Sequence, residues 1–431
     1  MRVQLFNPPS HHYQGVHYRM NPPLGLPILS AVLRAAGHEC EVVDLEALGV
    51  NPERLGQAWA AQRDRWPDVV GITALSSSAR GARESIAALR SAGYDKPIMV
   101  GGPHATLAPE EPLAWGADLS VIGECEGNIV ALCEAAITGE WFARGPVQGK
   151  PMPIEQIPAP DWTHHNPAPT AYGGNAPHIG QPEGIAMFSR GCPHNCVFCG
   201  NPVFGQSKKR FRPPAAIVEE MADLKRRHVK AVFVYDDEIV GTLLPDGWLA
   251  EVADGLQPLG LVWKTQGRCS ERNITPAVMA DLHRAGCRVV MWGVESFSQS
   301  VLDANRKGTS VADIWHSLRT AKQAGIANWV FSMVGLYGET DADAALTAAG
   351  LEQGYAEGLI DYRQTTVTTV MPGTELHKRA VAEGWYVPSP ESGPQMNQVY
   401  TSTPWMTAER IGYWVRRYSE VCPVDYRGRA A

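Results

Sequence analysis

No stretch of the chain approaches the roughly 20 consecutive apolar residues that a membrane-spanning helix needs, so no membrane partner is expected. Basic charge is also in short supply: 38 lysines and arginines stand against 45 aspartates and glutamates, a net charge of −7. That balance supplies no bulk attraction to nucleic acid or to an anionic surface, and the run Lys208-Lys209-Arg210 reads as solvated surface. The opening "MRVQLFNPP" runs directly into strand-like sequence without a secretory leader, which points to the cytoplasm, where thiols stay reduced. Cysteine is sparse, nine in 431 residues, yet three of the nine crowd together at 192, 196 and 199. In a reducing compartment such a cluster favours metal over disulfides.

The chain is too long for one ordinary core and divides by pattern. Over residues 1–140, short apolar runs at 2–6, 40–45, 68–75, 97–102 and 119–123 alternate with helical periods at 25–37, 52–65 and 79–93. Five buried strands with crossover helices predict an α/β, doubly wound, Rossmann-like sheet, whose ligands bind beyond the carboxyl ends of its strands. Residues 141–183 are rich in Pro and Gly, lack periodicity and read as an extended linker. Alternation resumes over 184–376 with strand candidates at 184–191, 231–238, 261–268, 288–296, 328–336 and 362–370. Six strand–helix units are too few for a closed eightfold barrel and suit an open, partial (β/α)6 barrel. A C-terminal segment, 377–431, is less regular and holds one amphipathic helix at 407–421.

The cysteines lie in "SRGCPHNCVFCGNP" (189–202), spaced CxxxCxxC directly after the first strand of the second block. A structural zinc site wants four protein ligands, for which His194 is the available fourth. A disulfide would leave one thiol over. A four-iron–four-sulfur cluster on three cysteines instead leaves one iron without a protein ligand, free to bind substrate or cofactor.

This loop resembles that of the radical S-adenosylmethionine (AdoMet) superfamily, in which an aromatic, here Phe198, precedes the last cysteine. The resemblance implies that Cys192, Cys196 and Cys199 hold the cluster, and that the open iron chelates AdoMet and cleaves it by one electron to a 5′-deoxyadenosyl radical. It places Asp236 and Asp237 of "VYDDE" where many members receive the AdoMet amino group. Glu295 and Ser296 of "WGVESFSQSVLDANRKG" then fall near its ribose or amino group, and Arg268 near its carboxylate. "MVGLYGET" resembles a G-x-P-G-E-T stretch with Tyr337 in place of proline, and brings in Gly335; "VMPGTEL" resembles the turn that ends the sixth strand. Taken one at a time, these acids have an ordinary reading as solvated or salt-bridged residues, and Gly335 and Gly338 as turn glycines.

The first 140 residues resemble the cobalamin-binding domain that precedes the barrel in one branch of that superfamily, through "NPPLGLPILSAVLRAAGHE", "GITALSSS", "VGGPHATLAPEE" and "VIGECEGNIVAL". Cobalamin is thus the implied second cofactor, beside Ser76, Ser77 and Ser78 after the third strand and Gly101 and Gly102 after the fourth. "SHHYQG" places His12 where some cobalamin proteins carry a lower cobalt ligand, but Ser10 stands where the orienting Asp belongs, and His12 reads as a loop histidine. Together the cofactors imply a methyltransferase that moves a methyl from methylcobalamin to an unactivated carbon of a small-molecule substrate, fed by an electron donor such as ferredoxin or flavodoxin. The alternatives are a cobalamin-dependent cyclase, ring-rearranging or oxidising enzyme, and, from another class, a non-catalytic iron–sulfur sensor or scaffold. Among strand aromatics, Trp263, Trp292 and Trp329 read as core and Tyr235 as the substrate-side residue, while Trp385, Tyr386 and Tyr400 are expected to close the pocket.

Overall fold

The computed structural model describes all residues except 11–20, 140–144, 175–178, 206, 389–401 and 425–431; His12 and Tyr400 lie outside the described residues. The chain packs as two compact units, one formed mainly by Met1–Gly173 and the other mainly by the chain from Gly174 onward.

The first unit is built on a parallel sheet of β1 (Arg2–Asn7), β2 (Glu39–Asp44), β3 (Val69–Thr73), β4 (Ile98–Gly101), β5 (Leu119–Ile122), β6 (Val147–Gln148) and β7 (His165–Asn166), in the order β6-β5-β4-β3-β1-β2-β7. Side chains alternate across this sheet and feed two separate cores, as a doubly wound sheet requires. Phe6, Val70 and Ile72 pack with Leu55, Trp59, Ile86 and Leu89 of the helices Pro52–Ala60 and Ala79–Ser91. Val3, Leu5 and Val69 pack with Leu26 and Leu33 of Gly25–Ala35 and Leu132 and Cys133 of Ile129–Thr138. That last helix, "IVALCEAAIT", is apolar or small at nearly every position, so it shows no stripe for a periodicity argument to find.

The Pro- and Gly-rich stretch does more than connect. Its β6 and β7 cover the two outer strands of the sheet, Trp162 and Tyr172 are buried, and the Tyr172 hydroxyl donates to Asp44 Oδ2 at 2.7 Å. Two-residue strands have no period to read, and pairing here satisfies edges that would otherwise be open.

The second unit carries a six-stranded, all-parallel sheet in sequential order: β8 (Glu183–Ala186), β11 (Ala231–Val234), β12 (Val262–Gly267), β13 (Cys287–Glu295), β14 (Ala327–Val334) and β15 (Tyr362–Val367). Helices Pro214–Arg226, Trp248–Leu256, Pro276–Arg284, Val311–Gln323 and Asp341–Ala356 connect successive strands. Several start where the sequence signals it: Thr275 caps Val278, and Ser310 and Thr340 form capping boxes with Asp313 and Asp343. Between β8 and β11, β9 (Ser189–Arg190) and β10 (Arg210–Phe211) pair antiparallel and close the neck of the loop that carries the three cysteines. Trp263, Trp292 and Trp329 are fully buried, as expected of core. In the C-terminal segment, helix Ala408–Val421 docks on Asp341–Ala356, with Trp414 Nε1 donating to Asp341 Oδ1 at 2.6 Å.

Candidate active site

The cysteine loop is fastened by its backbone. Val197 N donates to Asn305 O at 3.1 Å, and Leu376 N donates to Val197 O at 2.8 Å. The side chain of Phe198 enters an apolar cluster with Val370, Leu376, Ala380, Tyr337, Trp385 and Tyr386. Phe198 therefore anchors the loop, and Trp385 and Tyr386 belong to that anchor.

Cys196 is buried and Cys192 and Cys199 are half-buried. Burial, and next the Glu238 carboxylate, pushes Cys192 up to about 12; burial pushes Cys199 up to about 11. Unloaded, these are protonated thiols, and a metal that binds them displaces protons. Among the described residues, the one set of His, Cys, Asp or Glu ligand atoms gathered within 4.8 Å is Cys192, His194 and Glu238. The three sulfurs are not gathered so tightly, a spread that suits ligands each taking a different iron rather than sharing one ion. His194 likewise groups with Cys192 and Glu238, not with all three cysteines, which disfavours a four-ligand zinc site.

Charged side chains surround the loop. Arg268, at the end of β12 and 6% exposed, directs Nη1 toward Cys196 Sγ at 3.7 Å, while its buried Nη2 has no hydrogen-bond partner. Glu238 is buried, with Oε2 3.5 Å from His194 Nε2 and Oε1 3.5 Å from Lys209 Nζ, and Oε1 makes no hydrogen bond. Orphaned, buried polar atoms of both signs beside three thiols are what a site for a zwitterionic ligand on a metal cluster would hold in reserve.

The acids named from sequence divide. Asp236 is buried and committed, accepting from Phe188 N at 2.8 Å and Ser189 Oγ at 2.5 Å, so it latches the turn leading into the loop. Asp237 is exposed and accepts from Gly191 N at 3.1 Å. Of the three acids in "VYDDE", the one with a buried oxygen that makes no hydrogen bond is the third, Glu238, which sequence reasoning passed over. Glu295 lies at a bulge in β13 with φ +63° and binds Lys307 Nζ at 2.9 Å. Ser296 faces elsewhere, its hydroxyl bonding to Thr347 Oγ1 at 2.8 Å. Gly335, at φ +83°, donates its N–H to the buried Glu339 carboxylate at 2.6 Å and is a turn glycine. Tyr235, at the end of β11, is 57% exposed with its ring edge against Phe233.

In the first unit the strand order reverses between β1 and β3, and the crevice at such a switch point is where doubly wound sheets bind ligands. The turn Ser76–Ser78 follows β3 after Ala74 and Leu75. Ser78 is spent on the turn, its Oγ accepting from Leu75 N at 3.1 Å, and Ser77 is half-buried beside it. Ser76 Oγ meets His104 Nδ1 at 3.2 Å, and His104 Nε2 meets Glu111 Oε2 at 3.1 Å. Hydrogen bonding to His104 holds Glu111 below the usual carboxylate range, and the imidazole links that acid to the Ser76 hydroxyl. Gly102 is required where it stands: at φ +95°, a Cβ would lie 2.7 Å from Thr73 Oγ1. Gly101 has open space, with nothing nearer a Cβ than 3.9 Å.

Comparison with known proteins agrees with both halves of this picture. Residues 187–349 match the Radical SAM superfamily and residues 18–133 match the B12 binding domain. The chain thus carries a radical AdoMet domain and a B12-binding domain, whose cofactors are a [4Fe–4S] cluster with AdoMet, and cobalamin. An uncharacterized methyltransferase of Pyrococcus horikoshii is 27% identical over 89% of this chain and 83% of its own length. The anaerobic magnesium-protoporphyrin IX monomethyl ester cyclase of Rubrivivax gelatinosus is 26% identical over 79% of this chain, which spans 63% of that enzyme. The fold is shared with the radical AdoMet methyltransferase TsrM of Kitasatospora setae, solved with cobalamin and a [4Fe–4S] cluster, at a TM-score of 0.69 and 18% identity over 100% of this chain and 86% of that one. Among the described residues no helix is long and apolar enough to cross a membrane.

Proposed function

We propose that this enzyme is a methyltransferase that delivers a methyl group to an unactivated carbon of a small molecule. The observation that carries the reading is the alignment with a protein named as a methyltransferase across 89% of this chain, through both the cobalamin-type sheet and the cysteine loop. TsrM, of the same fold, has been solved with tryptophan as its substrate, which supports a small-molecule substrate here. When bound, AdoMet on the cluster supplies a hydrogen-abstracting radical and cobalamin carries the methyl group; the protein supplies orientation and exclusion of water. In this reading Cys192, Cys196 and Cys199 hold the cluster, the unbonded Glu238 oxygen receives the AdoMet amino group and Arg268 its carboxylate. The exposed Tyr235 ring faces the substrate, and an electron donor such as ferredoxin or flavodoxin reduces the cluster.

The cyclase relative supports a second reading, in which the same cofactors act without methyl transfer. Anaerobic holoenzyme, reduced and given AdoMet with a trideuterated methyl group, separates them. Methyl transfer predicts S-adenosylhomocysteine together with label on the bound cobalamin. A cyclase predicts 5′-deoxyadenosine alone. Neither product would point to the sensor or scaffold reading instead.

A further inference from the structure

We infer that the buried Lys307–Glu295 pair sets the reduction potential of the cluster, with Lys307 as its positive end toward the thiolates. The inference rests on the three cysteines holding the cluster and is independent of methyl transfer.

Lys307 and Glu295 have side chains only 9% and 12% exposed and meet at 2.9 Å. The sequence spends three irregularities on this pair. The β13–β14 register slips between Gly293 and Glu295, Glu295 takes a left-handed φ of +63°, and a Cβ at Gly293 would stand 2.9 Å from both Glu295 Oε1 and Lys307 Nζ. A non-glycine residue held at positive φ is costly and persists where surrounding structure demands it. A pair serving stability alone gives no reason for that cost, since apolar side chains of similar size often do as well.

The neighbours say what the pair faces. Asn305, two residues before Lys307, accepts from Val197 N at 3.1 Å, so the turn that delivers Lys307 is bonded to the cysteine loop between Cys196 and Cys199. The next residue, Gly308, at φ +60°, would put a Cβ 3.2 Å from Arg268 Nη2, so the turn that delivers Lys307 also makes room for the guanidinium at Cys196. A cluster on three thiolates gains one negative charge when a one-electron donor reduces it, and no bond need form or break. A fixed cation nearby favours that charge and a fixed anion opposes it, the more so in a site of low dielectric.

The test is a redox titration of the reconstituted cluster without AdoMet, followed by electron paramagnetic resonance, on wild type, Lys307→Met, Glu295→Gln and the double variant. Lys307→Met is expected to lower the midpoint and Glu295→Gln to raise it. Each shift should reach about tenfold in the reduced-to-oxidised ratio at fixed potential, or 59 mV for one electron. The double variant should fall between the single ones. Shifts of the same sign in both single variants, or none in either, overturn the inference, because damage to the fold would not move them oppositely. If Lys307→Met fails to retain iron, Glu295→Gln decides alone, a raised midpoint supporting the inference and an unchanged one overturning it. A wild type without iron or cluster signal would overturn the cluster assignment itself, and this inference with it.

Discussion

Asp236 and Glu238 stand two residues apart at the end of β11, both buried, and their carboxylates have opposite uses. Burial pushes Asp236 up to about 7, although the Ser189 hydroxyl and the Phe188 and Ser189 N–H groups pull it down. A carboxyl raised above its ordinary value of 3.8 binds its proton more tightly folded than unfolded. Its contribution to stability is full below that ordinary value and is lost as pH rises through about 7. Asp236→Asn should therefore flatten the pH dependence of the urea midpoint between about 4 and 7, an unchanged slope counting against it, and should leave AdoMet affinity near wild type. Glu238→Gln should do the reverse to AdoMet, weakening equilibrium binding by about tenfold or more, since it gives up a hydrogen bond between charges of about 1.5–3 kcal/mol. Equal losses in both variants would show that the strand end matters only as a unit. The sequence displays all three acids of "VYDDE" but cannot rank them, because what separates them is which partners each meets after the chain turns. Lys307 was equally in view in "NRKG" and equally silent, since its partner is named by a bulge in β13.

At the scale of elements, the strands were readable wherever apolar runs had length, and all six strands of the second sheet lie within the runs that predicted them to about a residue. What escaped reading had no period: the two-residue strands β6 and β7, and the uniformly apolar helix Ile129–Thr138. One strand carries a residue that pattern alone would place outside. Lys264 of β12 and Glu183 of β8 are both 0% exposed and bond to each other across β11, with the ammonium 4.9 Å from the Phe233 ring centre. Removing one partner takes this ion pair from the other's buried charge, so Lys264→Met should cost about 3–5 kcal/mol of stability. Replacing both, as Lys264→Met with Glu183→Leu, should recover most of it, because two charges no longer need to be taken out of water. Thermal unfolding of the single and double variants checks this. A double variant no more stable than Lys264→Met would mean that the pair is needed for the shape of the sheet and not merely balanced within it.

At the scale of the whole molecule, the two units have separate cores and their candidate sites use different elements, so the two cofactors should be separable. The first unit is held by the clusters on both faces of its sheet. The cysteine loop is fastened instead by Asn305, Leu376 and the cluster around Phe198. Gly102 is the position at which the first site is most exposed to a single change, because its φ of +95° and the 2.7 Å approach to Thr73 Oγ1 both exclude a side chain. Gly102→Val should force the β4 turn away from Ser76 and His104. The anaerobically prepared variant should lose most of its cobalt while keeping iron near four atoms per chain. Cys192→Ala should lose its iron and keep cobalamin, seen by its visible absorption. Metal analysis of the two preparations beside wild type settles the matter. If either change empties both sites, the cores do not isolate the cofactors, and loading one must depend on the other. If Gly102→Val keeps its cobalt, the glycine serves only the turn, and the corrinoid is held by other residues of the same sheet edge.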